Sequence, residues 1–159
     1  MPYLLDVRLI VKDLMSTNVF SIDSEASVKE AASKMAQQEI GSLVVTEQGK
    51  PVGIVTERDL LSRVLALGRN AEATRIKMIM SKPLICGQPD MDVAEAARFM
   101  VGRNIKKLPI TQEGRLVGIV TLTDLCAAQP DMYELIEKET KGKIPKRFMK
   151  RLAKRYYKT

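Results

Sequence analysis

The chain contains no histidine and no tryptophan, only two cysteines, and few aromatic residues of any kind. Each shortage excludes something. Without histidine, the commonest general base and the commonest metal ligand are both missing. Cys86 and Cys126 have no CxxC spacing, which argues against a structural zinc site, and the pair reads as buried reduced thiols. With aromatics at 4% and hydrophobic residues at 45%, a core must be built from Val, Ile, Leu, Met and Ala. No apolar run reaches the ~18 residues that a membrane-spanning helix needs. The first residues lack the charged-then-apolar layout of a signal peptide, so the expectation is a cytoplasmic protein.

What the chain does have is a repeat. Residues 11–60 lie over residues 76–125 without a gap, at an offset of 65, and about 19 of the 50 positions are identical. The best-matched stretch is Gly53-Ile54-Val55-Thr56-Glu57-Arg58-Asp59 against Gly118-Ile119-Val120-Thr121-Leu122-Thr123-Asp124. A unit of this size buries so little surface that it would be only marginally stable alone. Two copies should therefore share a core, packed about a pseudo-twofold axis, with any site at their junction roughly duplicated.

Each unit reads strand, helix, strand, strand, helix. Ser27 with Glu30 forms a capping-box pattern ahead of Val28, Ala31, Ala32 and Met35 at helical spacing, and Ile40-Gly41 closes that helix. Asp92 takes the matching cap position before Val93, Ala96, Ala97 and Met100. Glu47-Gln48-Gly49-Lys50 and Gln112-Glu113-Gly114-Arg115 read as hairpin turns with Gly free to take positive φ. Thr56 and Thr121 open the second helices. The methionines at 35, 78, 80, 91 and 100 read as core. The expected divisions are an N-terminal segment 1–10 packing on the module, a first unit 11–68, a linker 69–75, a second unit 76–131 and a tail 132–159.

The Gly-Ile-Val-Thr-x-x-Asp stretch carries the chemistry. A strand ends and a helix begins within three residues, leaving unpaired N–H groups and a positive dipole end. Such a terminus suits a phosphate, a Thr hydroxyl there can donate to it, and an Asp one turn later can accept from both ribose hydroxyls. The same residues also suit a purely structural duty, with Thr as N-cap and Asp as capping-box acid. Both readings stand on the spacing.

The order of these motifs resembles the tandem CBS module, also called a Bateman module, first described in cystathionine β-synthase. The resemblance rests on Val11-Lys12-Asp13-Leu14-Met15 with Ile76-Lys77-Met78-Ile79-Met80, on Ile40-Gly41-Ser42-Leu43-Val44-Val45 with Ile105-Lys106-Lys107-Leu108-Pro109-Ile110, and on the two GIVTxxD stretches. It implies an α/β fold of two β-α-β-β-α motifs, and a regulatory module that binds AMP, ADP, ATP or S-adenosylmethionine in clefts between the motifs and signals to a partner. It implies no enzyme activity and no required cofactor, only an adenine nucleotide as regulatory ligand. It also implies a homodimer paired through helices. Carried over position by position, Asp59 and Asp124 would bind ribose, and Thr56 and Thr121 phosphate. Lys106 and Lys107 would supply positive charge in the second unit. The matching Gly41 and Ser42 carry none where many relatives have His or Arg, so the two clefts should be unequal. Val19, Phe20, Leu84 and Ile85 would sandwich the adenine, or else be plain core. Arg58 and Arg103 are further phosphate candidates, or else solvated surface.

The net charge of +7 is unevenly spread. Residues 138–159 hold ten Lys or Arg and the single acid Glu139, whereas residues 1–137 are slightly acidic. After Pro145, Phe148, Leu152 and Tyr156 recur every four residues among Lys146, Arg147, Lys150, Arg151, Lys154 and Arg155, the pattern of a basic amphipathic helix. It would dock on the module or a second subunit, bind nucleic acid or an anionic membrane, or order on a protein partner. The alternative function is therefore a nucleic-acid-binding or scaffold protein acting through this tail.

Overall fold

The structure, a computed structural model, describes residues 8–129 and 131–140. Residues 143–158, with Lys146, Arg147, Lys150, Arg151, Lys154 and Arg155, lie outside the described residues, as does most of the segment 1–10.

The chain divides into two compact units, and they are not the two sequence repeats. Among the described residues, one comprises 18–86 with 113–117; the other comprises 8–17, 87–112, 118–129 and 131–140. Each takes its body from one repeat and the opening segment from the other.

In the first of these units, β1 (Ser21–Asp23), β2 (Ser42–Glu47) and β3 (Lys50–Thr56) form a sheet in that order, with β1–β2 parallel and β2–β3 antiparallel. Gln48 and Gly49, at φ 50 and 76, make the tight turn between β2 and β3, as the Gly predicts. Ser81 pairs with Ile54 on the outer edge of β3, supplying a further backbone partner there. The helix α2 (Val28–Gln38) begins with the expected capping box: Glu30 N–H donates to Ser27 Oγ at 3.1 Å, and Ser27 N–H to Glu30 Oε2 at 3.2 Å. It ends earlier than Ile40-Gly41, because Glu39 turns left-handed at φ 53. A second short helix, α3 (Glu57–Leu60), runs into a π-helical turn over Leu61–Leu65, where Ala66 N–H reaches Leu61 O.

Residues 69–75 are packed rather than slack. Ala71 and Thr74 carbonyls accept from Lys29 and Val28, taking up two N–H groups that the start of α2 would otherwise leave unpaired. The core joins Val28, Ala31 and Met35 of α2 with Leu43, Val45, Val55, Val64, Ile76, Ile79 and Met80. Ile76 and Ile79, from the opening segment of the second repeat, are wholly buried here. At about 1.5–3 kcal/mol for each fully buried aliphatic side chain, that segment is an integral part of the unit.

The body of the second repeat follows the same scheme, with residues 113–117 clustering in the first unit. The pair β4 (Lys107–Gln112) and β5 (Arg115–Thr121) is joined through Glu113 and Gly114, both at positive φ. Gly87 bridges Ile110 in parallel, standing where β1 stands in the first copy, and Ser16 bridges Ile119. Asp92 caps α4 (Val93–Gly102), accepting from Ala94 N–H at 2.9 Å, and Asn104 turns left-handed just beyond it. The short helix α1 (Val11–Leu14) opens the other unit, and α5 (Leu122–Ala128) follows β5. Helix α6 (Met132–Thr140) buries Met132 and Ile136 and packs on α4 and α5, so the folded part continues past residue 131.

Neither cysteine is in a disulfide; Cys126 is buried, but Cys86 is only half-buried. Met78 departs from the core expectation at 62% exposed, because it sits on the 3₁₀ turn Ile76–Met78 whose inward positions go to Ile76 and Ile79.

Candidate functional site

Both GIVTxxD stretches form the same strand-to-helix junction. Thr56 remains extended at φ −121, ψ 164, and α3 begins at the next residue. The Asp59 Oδ2 atom accepts from Thr56 N–H at 2.9 Å and from the Thr56 hydroxyl at 3.1 Å, while Asp59 N–H points to Thr56 Oγ1 at 3.4 Å. In the second copy, Thr121 N–H donates to Asp124 Oδ2 at 3.0 Å and Asp124 N–H to Thr121 Oγ1 at 3.1 Å. The structural duty of Thr and Asp is therefore real in both copies. It fixes the carboxylate beside the helix start, where a ligand duty would also need it.

The first N–H of each helix is also taken. Glu57 N–H donates to Gly41 O, and Leu122 N–H donates to Lys106 O, both at 3.0 Å. That bond places the exposed Lys106 at the start of the helix bearing Asp124, and Lys107 follows as the first residue of β4. Thr121, Asp124, Lys106 and Lys107 thus belong to one compact unit. Thr56, Asp59 and Arg58 belong to the other, with Gly41 in place of a lysine at the matching contact.

The apolar candidates, all in the unit built on residues 18–86, do not gather as one group. Val19, Phe20, Leu84 and Ile85 are all half-buried. Phe20 O accepts from Val44 N–H at the β1 side of β2, whereas Leu84 N–H donates to Val52 O on the outer edge of β3. The two pairs flank opposite edges of the same sheet, and Phe20 also packs on the core. Arg58 is exposed. Arg103 stacks its guanidinium 3.7 Å from the centroid of Phe99, a cation–π contact that gives it a local partner.

One residue at the junction escaped the sequence reading. Arg63 lies four residues after Asp59, and its Nη1 is 3.7 Å from Asp59 Oδ1. The i,i+4 acid-to-arginine spacing was the available signal. It is lost in the repeat comparison because the matching residue of the second copy is Ala128.

The sequence profile of the CBS domain matches residues 11–66 and 76–131. The chain belongs to the CBS domain family. CBS domain pairs are regulatory ligand-binding modules, and proteins of this kind are typically regulatory. The chain is 40% identical over 119 residues to YhcV, a CBS domain-containing protein of Bacillus subtilis, covering 75% of this chain and 84% of YhcV. It is 43% identical over 114 residues to the uncharacterized protein MK0525 of Methanopyrus kandleri, covering 70% of this chain but only 58% of that protein. Among solved structures, the CBS domain pair of protein MJ0100, in complex with 5′-methylthioadenosine and S-adenosyl-L-methionine, matches with a TM-score of 0.65 and 32% identity over 74% of this chain and 93% of that one. Among the described residues, no helix is long and apolar enough to cross a membrane.

Proposed function

We propose that this CBS pair is a regulatory module, not an enzyme, that binds an adenosine-containing ligand through its Thr-x-x-Asp junctions and reports occupancy to a partner. AMP, ADP, ATP and S-adenosylmethionine are the candidate ligands, with no cofactor required. The observation that carries the reading is the exposed Asp124 carboxylate, held at a helix start beside Thr121 and joined through Leu122 N–H to the peptide of Lys106. A carboxylate suits a ribose diol, and a lysine at a helix N-terminus suits a phosphate or carboxylate. The adenosine-type ligands of the MJ0100 pair support the same class.

The partner includes a second copy of the chain in this reading. An apolar groove of about 630 Å³ runs between α2 and the α3 segment, lined by Val28, Met35, Leu60 and Val64 among others. Leu61 and Leu65 beside it are 60% and 72% exposed. A helix face of this kind favours pairing through helices, and sedimentation equilibrium of the wild type against Leu65→Glu tests it.

The functional test is isothermal titration calorimetry of the four ligands on the full chain, on Asp124→Asn and on Asp59→Asn. Asn keeps an oxygen for the cap while weakening a diol contact. Binding that disappears in one or both variants supports the reading, and four silent titrations would end it.

A further inference from the structure

The two Thr-x-x-Asp junctions differ in one respect that the repeat conceals. Asp124 is exposed, and none of the salt bridges found among the described residues involves it. Asp59 is 12% exposed at its side chain. Its Oδ2 already accepts twice from Thr56, and its Oδ1 faces Arg63 Nη1 at 3.7 Å, a charge contact rather than a hydrogen bond. The same Nη1 donates to Ile79 O at 2.6 Å and contacts Ser81 Oγ at 3.4 Å. One guanidinium nitrogen therefore touches the site acid and the segment that closes the edge of β3. It projects from the π-helical turn Leu61–Leu65, a local irregularity that α5 does not share.

We propose that Arg63 is a latch that makes the two sites unequal: it claims the free oxygen of Asp59 and ties that residue to Ile79–Ser81, so an adenosine ligand fills the Asp124 site first. The inference rests on the ribose-binding reading of the two aspartates given above. A carboxylate has about four lone-pair positions. At Asp59, two are used by Thr56, and a ribose diol must compete with a guanidinium for the rest. At Asp124 the diol meets no such competitor. Separating Arg63 from a largely buried acid leaves that charge poorly compensated, which weakens binding at Asp59. Arg63 is a positioning residue here, acting on the ligand through Asp59.

The experiment titrates AMP into the full chain by calorimetry, as wild type, Asp124→Asn, Arg63→Met and Arg63→Lys. Alongside, it follows amide exchange at Ile54 and Ser81, with Ser16 and Ile119 as the internal reference. The expected wild type shows one tight site per chain, lost in Asp124→Asn. Arg63→Met should tighten a second site by about tenfold, and Arg63→Lys, which keeps the charge without the fork, by less. Exchange at Ser81 and Ile54 should speed up about tenfold in Arg63→Met, with Ser16 and Ile119 unchanged. Two equal sites in the wild type, or an unchanged second site in Arg63→Met, would overturn the proposal. If AMP is silent, ADP, ATP and S-adenosylmethionine are titrated in its place, and the functional reading fails only if all four are silent; the latch is then judged by exchange alone, and unchanged protection at Ser81 would overturn it.

Discussion

Ile54 and Ser81 exchange both of their backbone hydrogen bonds, at 3.0 and 2.9 Å, and Ser16 and Ile119 do the same at 2.9 Å in each direction. The pairs are counterparts at the repeat offset, with the partners crossed. The crossing continues along the segments. Ile76 and Lys77 donate to Ala26 O and Ser24 O; Val11 and Lys12 donate to Met91 O and Pro89 O. Every one of these bonds joins the opening of one repeat to the body of the other.

This close pairing explains the glycine that begins each GIVTxxD stretch. A Cβ on Gly53 would lie 2.7 Å from Ser81 O, a backbone atom that cannot step aside, and 3.0 Å from Met80 Sδ. A Cβ on Gly118 would meet chiefly the flexible Met15 side chain, at 2.5 Å from Sδ, with Ser16 O at 3.1 Å. Gly53→Ala is therefore expected to cost about 2–3 kcal/mol and Gly118→Ala nearer 1 kcal/mol. Gly102→Ala, which meets nothing within 4 Å at the end of α4, should gain up to about 0.5–1 kcal/mol. Urea unfolding of the three variants checks the order.

Asp92 gives a pH dependence. Its hydrogen bond with Arg8, at 2.8 Å, is the main cause that holds its carboxyl below the ordinary value of 3.8; backbone N–H donors help, and desolvation opposes. A depressed native pKa means the unfolded chain binds the proton more readily. The contribution is thus complete above 3.8 and fades as pH falls through the native value. Unfolding free energies measured from pH 6 to pH 2 should fall more gently in Asp92→Asn than in the wild type over the acid end of that range. Asp92→Ala should lose about 1 kcal/mol even at pH 7, as an N-cap.

The two thiols should separate by reactivity. Burial pushes the Cys126 thiol up to about 11, so almost none of it is thiolate at pH 8. Cys86 is half-buried. A thiol-reactive disulfide reagent at pH 8 is expected to label Cys86 in the native protein and Cys126 only after denaturation. Rapid labelling of both would show that the α5 region opens readily.

Thr121 should show its two duties separately. Thr121→Ser keeps the hydroxyl that accepts from Asp124 N–H and should change stability by less than about 0.5 kcal/mol. Thr121→Val removes that acceptor and should lose about 1 kcal/mol by thermal or urea unfolding. If both variants melt like the wild type, the cap is not what preserves this threonine.

Much of the local architecture was legible because it depends on residues a few positions apart. Ser27 with Glu30, Asp92 with Ala94, and Thr56 with Asp59 cap their helices where the side-chain spacing said they would. Gly49 and Gly114 take the positive φ their turns require. Which sheet edge the Val19-Phe20 and Leu84-Ile85 segments border was not legible, because two edges of one sheet look alike as short apolar runs. Met78 looked like core because helical spacing does not reveal how a 3₁₀ turn apportions its faces. Arg63 was invisible to a comparison of repeats, since its counterpart is an alanine.

By itself the sequence determined the repeat, the caps and the hairpins, which follow from short-range hydrogen bonding and from periodicity along the chain, and the order of its motifs carried the resemblance to the family. Only the tertiary structure decided which segment closes which strand, and how deeply each aspartate sits. Those outcomes depend on Ser81 meeting Ile54 and on Arg63 reaching Ile79 O, contacts between residues distant along the chain whose partners no local pattern encodes.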